Sequence, residues 1–148
     1  MTGHRELDPD FRQKVLERSK ERIPFWDLLG IDLLDIKLGW AKLRLPYTDK
    51  LSNAGGIAHG GAVFSVADSA VGTALTSMKE RGESISTIEM KINYVKAFSG
   101  GAIEVEAWIL HKGRNTALGE AEVVDDEGSR VAKAVATYAV IRRDGSAQ

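Results

Sequence analysis

Between Gly60 and Arg81 the chain carries a helix-length segment that is apolar or small almost all the way round. Ala62, Val63, Phe64, Val66, Ala67, Ala70, Val71, Ala74, Leu75 and Met78 fall on every side of it. A helix without a polar face is either a membrane span or is enclosed by the rest of its domain. Ser65, Asp68, Ser69, Thr73, Thr76 and Ser77 argue against the membrane, and no apolar run reaches the ~18 residues that a span requires. The remaining residues therefore have to supply a surface that embraces this helix. Lys79 and Arg81 suit its C-terminus, with Gly82 able to terminate it.

That surface reads as strand. Ile31 to Leu38 and Trp40 to Leu45 are β-rich segments flanking Gly39, as in a hairpin. After the helix, Ile88, Met90, Ile92 and Tyr94 alternate with Glu89, Lys91 and Asn93, and Ile103, Val105, Ala107 and Ile109 alternate with Glu104, Glu106 and Trp108. Ala121 and Val123 alternate with Glu120 and Glu122, and Val131 to Ile141 is a further β-branched run. Ser99-Gly100-Gly101, Lys112-Gly113-Arg114-Asn115 and Asp125-Asp126-Glu127-Gly128 read as hairpin turns, which gives an antiparallel meander. Upstream, Asp8-Pro9 is a cap followed by proline at the first helical position. Phe11, Val15, Ser19 and Ile23 then recur at helical spacing until Pro24, and Phe25 to Gly30 form a short apolar turn or helix.

The expected architecture is α+β: a curved antiparallel sheet wrapped around one long central helix, with an N-terminal helix. The 148 residues suit one domain, 1–148, with residues 1–24 as the N-terminal helical segment and 144–148 as a disordered tail. A formal net charge of -1 lacks the basic field of nucleic-acid binders. The absence of cysteine rules out disulfides and a thiolate nucleophile. The lack of an apolar leader points to a cytoplasmic location.

The chemistry gathers at the start of the central helix. Asn53-Ala-Gly-Gly-Ile-Ala-His59-Gly60-Gly61 combines a glycine-containing turn with exposed N–H groups at a helix start. Such a start holds negative charge, including the oxyanion formed when a carbonyl is attacked. Asp68 is an acid inside an otherwise apolar helix, so it either performs chemistry, caps a neighbour or pairs with a buried base. His59 is either a general base or a side chain that closes the loop on backbone. Asn53 either orients a water or holds an Asx turn. Thr87, at a strand start, is a site hydroxyl or ordinary β-branched filler. Asp68 follows Gly60 by eight positions, ~12 Å along a helix, too far for one substrate carbon to touch both. Either the substrate lies along the helix, or Asp68 works on a carbonyl held by another subunit's helix start. Nucleophile-elbow, phosphate-loop and dinucleotide motifs are absent, and His4, His59 and His111 lack metal-type spacing.

The array Asn53…Gly56-Ile-Ala-His59-Gly60-Gly61…Asp68, with the order of elements, resembles the hotdog-fold acyl-CoA thioesterases of the phenylacetate-pathway (PaaI-like) group. The similarity extends over Phe25 to Ile141, including Thr87-Ile-Glu-Met-Lys-Ile-Asn-Tyr94 and Gly113-Arg-Asn-Thr116. This resemblance implies hydrolysis of acyl-CoA thioesters to free acid and CoA, with no cofactor beyond the CoA of the substrate. It implies that the Gly60 N–H polarises the carbonyl, helped by His59 or Asn53. Asp68 of the neighbouring subunit acts as general base or as a nucleophile forming an anhydride, and Thr87, or its rival Ser86, positions the water. Gly61, Lys112, Gly113, Arg114 and Asn115 are placed on substrate and CoA, with Arg142 or Arg143 as further phosphate contacts. A homodimer with shared sites, assembled into a tetramer, is the expected state, with neither nucleic acid nor membrane as partner. The alternatives are a hydroxyacyl/enoyl-thioester dehydratase or hydratase using His59 with Asp68, and a non-catalytic acyl-CoA-binding protein. Acyl specificity is not encoded in any motif.

Overall fold

A computed structural model describes residues 3–21 and 23–143; the expected tail at 144–148 lies outside them. Helix α1 (Pro9–Glu21) starts as its cap predicts: the Phe11 N–H donates to Asp8 Oδ1 at 3.0 Å. The helix lies over β1 (Asp32–Lys37), where the Arg12 guanidinium reaches Asp35 Oδ1 at 2.7 Å. Helix α2 (Pro24–Leu29) follows, with Pro24 at its start and Gly30 ending it at φ 85°. Strand β1 turns at Gly39 into β2 (Trp40–Pro46), and a 3-10 turn (Asp49–Leu51) opens the loop that leads to α3 (Gly60–Thr76). Four strands complete the chain: β3 (Glu83–Tyr94), β4 (Ala102–Lys112), β5 (Thr116–Asp125) and β6 (Arg130–Arg142).

The six strands form one antiparallel sheet in the order β1-β2-β4-β5-β6-β3. This corrects two expectations. The sheet is neither closed nor strongly curled around the helix: β1 pairs only with β2 and β3 only with β6, so both ends of the order are open edges. Nor is the second half a consecutive meander. Strand β3 lies at the far edge, residues 95–101 cross back to β4 in the middle, and Ser99-Gly100-Gly101 is part of that crossover rather than a hairpin turn. The turns at 113–115 and 126–129 do close hairpins.

Helix α3 packs on one face of the sheet, and the sequence shows how it does so without being wrapped. Ala41, Ala107, Ala121 and Ala134 are cross-strand partners in one continuous row over four strands, all fully or almost fully buried. The next row toward the α3 C-terminus contributes Gly119 and Ala136. A Cβ built on Gly119 would lie 2.7 Å from Val71 Cγ1, so the helix sits against bare backbone there. Alanines 62, 67, 70 and 74 answer from the helix side. Small residues on both surfaces bring the layers together, and leucines and valines 43, 45, 66, 75, 105 and 123 fill the flanks.

The helix is also shorter than expected, ending at Thr76 rather than Arg81. Ser77 is the reason. Its hydroxyl donates to Ala74 O at 2.6 Å and accepts the Gly39 N–H at 2.7 Å, fastening the helix end to the β1–β2 turn. Lys79 and Arg81 consequently stand in the turn beyond the helix, and Gly82, at φ 83°, starts the chain back into the sheet. Among the described residues, no helix is long and apolar enough to cross a membrane.

Candidate active site

The helix start is built from the 51–61 loop. The Asn53 side-chain oxygen accepts the Gly55 N–H at 2.8 Å and the Ile57 N–H at 3.4 Å, while the Asn53 N–H donates to Ile57 O at 2.7 Å. Asn53 therefore holds an Asx turn. The loop is anchored from two sides, by Ala58 N–H to Phe98 O and His59 N–H to Leu51 O, both 2.7 Å. His59 is the N-cap of α3: its Nδ1 accepts the Gly61 N–H at 2.8 Å. That bond occupies the Gly61 donor and one imidazole nitrogen. The neighbouring Gly60 N–H donates to no acceptor among the described residues, whereas Gly60 O accepts the Tyr94 hydroxyl at 2.7 Å. A cleft of about 370 Å3 adjoins this donor, lined by Asn53, Ile57, Gly60, Tyr94 and Phe98.

Asp68 forms the second centre. It projects from α3 toward the sheet edge, where the Thr87 hydroxyl donates to Oδ1 at 3.0 Å, with Oδ2 at 3.3 Å. The Tyr138 hydroxyl lies 2.6 Å from Oδ1 and 2.7 Å from the Asp68 carbonyl oxygen. Thr87 and Tyr138 are cross-strand partners of β3 and β6, so the sheet register delivers both hydroxyls to one carboxylate. A β-bulge between Thr87 and Glu89 marks the spot. Ser86, facing Ala139, makes no bond to Asp68. Burial, reinforced by the hydrogen bond to Asp68, pushes the Tyr138 phenol far above its ordinary value, so it remains a donor at any working pH. Two donors hold Oδ1, and Oδ2 keeps only the longer Thr87 contact.

Tyr138 and Gly72 were not singled out from the sequence, though each left a trace. A tyrosine in a strand of small residues needs a partner for its hydroxyl when buried, and Tyr138 is 5% exposed. A glycine inside a helix costs about 1 kcal/mol against alanine. A Cβ on Gly72 would lie 3.0 Å from the Tyr138 oxygen, so this glycine makes room for the hydroxyl that reaches Asp68.

The residues expected to contact CoA fall at two places, Gly61 at the start of α3 and residues 112–115 in the β4–β5 turn. Lys112 is tied to Glu83, whose buried carboxylate it meets at 3.0 Å, and Arg142 meets the same carboxylate at 3.0 Å. Glu83 also accepts the Glu80 N–H at 2.9 Å. That backbone bond first, then Lys112 and Arg142 against the opposing effect of desolvation, lower the Glu83 pKa from 4.5 to about 2. Lys112 and Arg142 therefore share one buried carboxylate in an ion cluster. Gly113 N–H donates to Thr116 O and Asn115 O accepts the Val140 N–H, both at 2.8 Å, which shapes the turn. Arg114 stands exposed at its tip without an ion pair among the described residues. The turn lies at the Asp68 end of the sheet, since Lys112, Ala117, Tyr138 and Thr87 share one cross-strand row.

The sequence profile of the thioesterase superfamily matches residues 55–132, which include the helix start, Asp68 and Thr87. The chain belongs to the thioesterase superfamily. Within it, this hotdog-fold chain stands in the PaaI-like group. It is similar to a protein of Saccharolobus solfataricus named "Putative esterase SSO1253", 30% identical over 82% of this chain and 80% of that protein. The structure of the conserved protein PA5202 from Pseudomonas aeruginosa superposes with a TM-score of 0.79 at 36% identity, covering 84% of this chain and 98% of the other. The Escherichia coli PaaI protein from the phenylacetic acid degradation operon superposes with a TM-score of 0.78 at 25% identity, covering 90% and 94%. Thioester hydrolysis is the general activity that this membership supports.

Proposed function

We propose that this thioesterase-superfamily chain hydrolyses acyl-CoA thioesters to the free acid and CoA, at sites shared between two copies. The observation that carries the reading is the Asp68 carboxylate, placed in an apolar helix and oriented by the Thr87 and Tyr138 hydroxyls. The family membership and the name of the E. coli relative, acyl-coenzyme A thioesterase PaaI, support the substrate class.

In the proposed reaction, Asp68 Oδ2 takes a proton from water while the water oxygen bonds to the thioester carbonyl carbon. The carbonyl electron pair moves onto oxygen, and the Gly60 N–H stabilises that oxyanion together with the dipole of α3. When the intermediate collapses the C–S bond breaks, and the thiolate leaves with the proton that Asp68 had taken. Donor and base lie ~12 Å apart on one helix, so one comes from each subunit. The open β3 edge supports this assembly. It is twelve residues long, with Ile88 56% and Tyr94 49% exposed, and an unpaired strand of that kind is a template for pairing with a second chain. The His59–Asp68 pair of a dehydratase is disfavoured by the bond from the Gly61 N–H to His59 Nδ1, which commits that nitrogen to the helix cap. Arg114, at the Asp68 end, is the basic side chain of the 112–115 turn left for the CoA phosphates.

Asp68→Asn keeps the shape of the side chain and an Oδ1 acceptor for Thr87 and Tyr138 but removes the base. It should lower kcat by roughly 10²–10⁴, measured by thiol release from several acyl-CoAs, with the circular dichroism spectrum unchanged. Wild-type turnover in this variant refutes the assignment.

A further inference from the structure

A second cleft, about 560 Å3, opens between α1 and the C-terminal half of α3, within the size range of small-molecule sites. None of Gly60, Asp68 and Thr87 lines it. Its walls are apolar: Phe11 and Val15 from α1, Ile23 and Trp26 around the start of α2, and Leu33 of β1. Helix α1 has no buried residue, and Phe11 remains 43% exposed, so its apolar face looks onto the cleft rather than onto the core.

The lining also includes Arg18, Lys79 and Arg81, exposed side chains that form no ion pair among the described residues. The acids of the lining, Glu80 and Glu83, offset these three cations only in part. Glu83 is committed to Lys112 and Arg142, and Glu80 lies 3.9 Å from Arg142. The Thr73 and Thr76 hydroxyls already donate to carbonyls of their own helix, Ser69 O and Gly72 O. What the cleft leaves unmatched is therefore apolar surface beside excess positive charge. A neutral apolar ligand would leave the cations unused, and a bare inorganic anion would leave the walls wet.

We propose that this cleft binds a carboxylate bearing an apolar tail, the tail between α1 and Trp26 and the head on Arg18, Lys79 and Arg81. The acids released by an acyl-CoA hydrolase fall in this chemical class. Trp26 joins the cleft to the reacting helix, because its indole N–H donates to Ser69 Oγ at 3.0 Å, next to Asp68. The binding does not depend on the hydrolytic reading.

Trp26 is the reporter, since Trp40 and Trp108 pair with each other elsewhere, on β2 and β4. Titration of the full chain with octanoate should change the Trp26 fluorescence saturably, and octanol, equal in chain length, should bind about tenfold more weakly or worse. The double variant Lys79→Ala/Arg81→Ala should lose octanoate affinity by about tenfold or more, while keeping its melting temperature and its basal thioester turnover. Equal binding of octanol and octanoate, or undiminished octanoate binding by the double variant, overturns the site. So does a Phe11→Glu variant that sediments as a smaller assembly when octanoate fails to bind, since a second copy then occupies the cleft. Because the titration reads binding, a chain that fails to hydrolyse acyl-CoA leaves this inference standing.

Discussion

Mixing two inactive variants tests the shared site directly. Gly60→Pro deletes the N–H assigned to the oxyanion, and proline is favoured at the first position of a helix, so α3 keeps its start. The preceding residue, His59, sits at φ -59° and ψ 134°, a conformation that a following proline accepts. The new Cβ meets Tyr94 Cζ at 3.2 Å, a contact that a half-exposed ring relieves by shifting. Gly60→Ala introduces the same Cβ but retains the donor, and so separates crowding from the lost hydrogen bond. Removing one oxyanion donor should cost roughly 10²–10³ in kcat, with Gly60→Ala well above Gly60→Pro. Now let Gly60→Pro be co-refolded with an equal amount of Asp68→Asn. Random pairing makes half of the dimers mixed, and each mixed dimer has one site with both defects and one with neither. Thiol release should therefore recover to about a quarter of the wild-type value per chain, although each variant alone is nearly inert. If the mixture shows no more activity than its two components, base and donor act from one chain, and the helix-rise argument is refuted.

Tyr138→Phe removes one of the two donors on Asp68 Oδ1 and should lower kcat about tenfold or more, the scale of a hydrogen bond to a charged group. KM should hardly change, because Tyr138 acts through Asp68; an unaltered kcat refutes its positioning role. For Glu83, the folded-state pKa lies below the ordinary 4.5. Its stabilising contribution is therefore complete above about pH 4.5 and is lost as pH falls toward 2. Wild-type melting temperature should drop across that window, and Glu83→Gln should flatten this part of the curve while lowering the neutral-pH value. Gly119→Ala drives a methyl to within 2.7 Å of Val71. It should cost about 1–3 kcal/mol of stability by overpacking, read by urea unfolding, and a neutral result contradicts the close packing of α3 on β5.

Elements set by local pattern were legible in the sequence. The Asp8-Pro9 start, the Gly39 turn and the alternation along β4 to β6 each depend on neighbours a few residues away. The errors came where a distant partner decides. Lys79 and Arg81 look like a helix C-terminus, but Ser77 ends the helix by bonding Gly39, on a turn 38 positions earlier. The lateral place of β3 is a choice between two open sheet edges, and nothing in Ile88 to Tyr94 states it. Lys112 looks like a free basic turn residue until the fold brings Glu83, 29 positions away, beneath it. In the candidate site, Asp68 and Thr87 were individually visible and the structure joins them. Asn53 and His59 organise the loop through an Asx turn and a helix cap, bonds made with neighbours a few residues away. Tyr138 stayed hidden because its role arises from register alone, as the residue opposite Thr87.

The row of alanines under α3 bears on what can enter this protein. With Gly119 bare against Val71 and one row of alanines crossing four strands, the gap between helix and sheet has no room for even one added carbon at its tightest point. Under the proposed reading, an acyl chain therefore cannot pass between helix and sheet at this point. Under the proposed acyl-CoA reading, the acyl chain lodges instead along the margins of the layer, as beside the helix start where Ile57, Tyr94 and Phe98 line a cleft. On that reading, the range of acids accepted is set by residues at the margins, and substitutions there should change substrate choice without disturbing the alanine-lined layer.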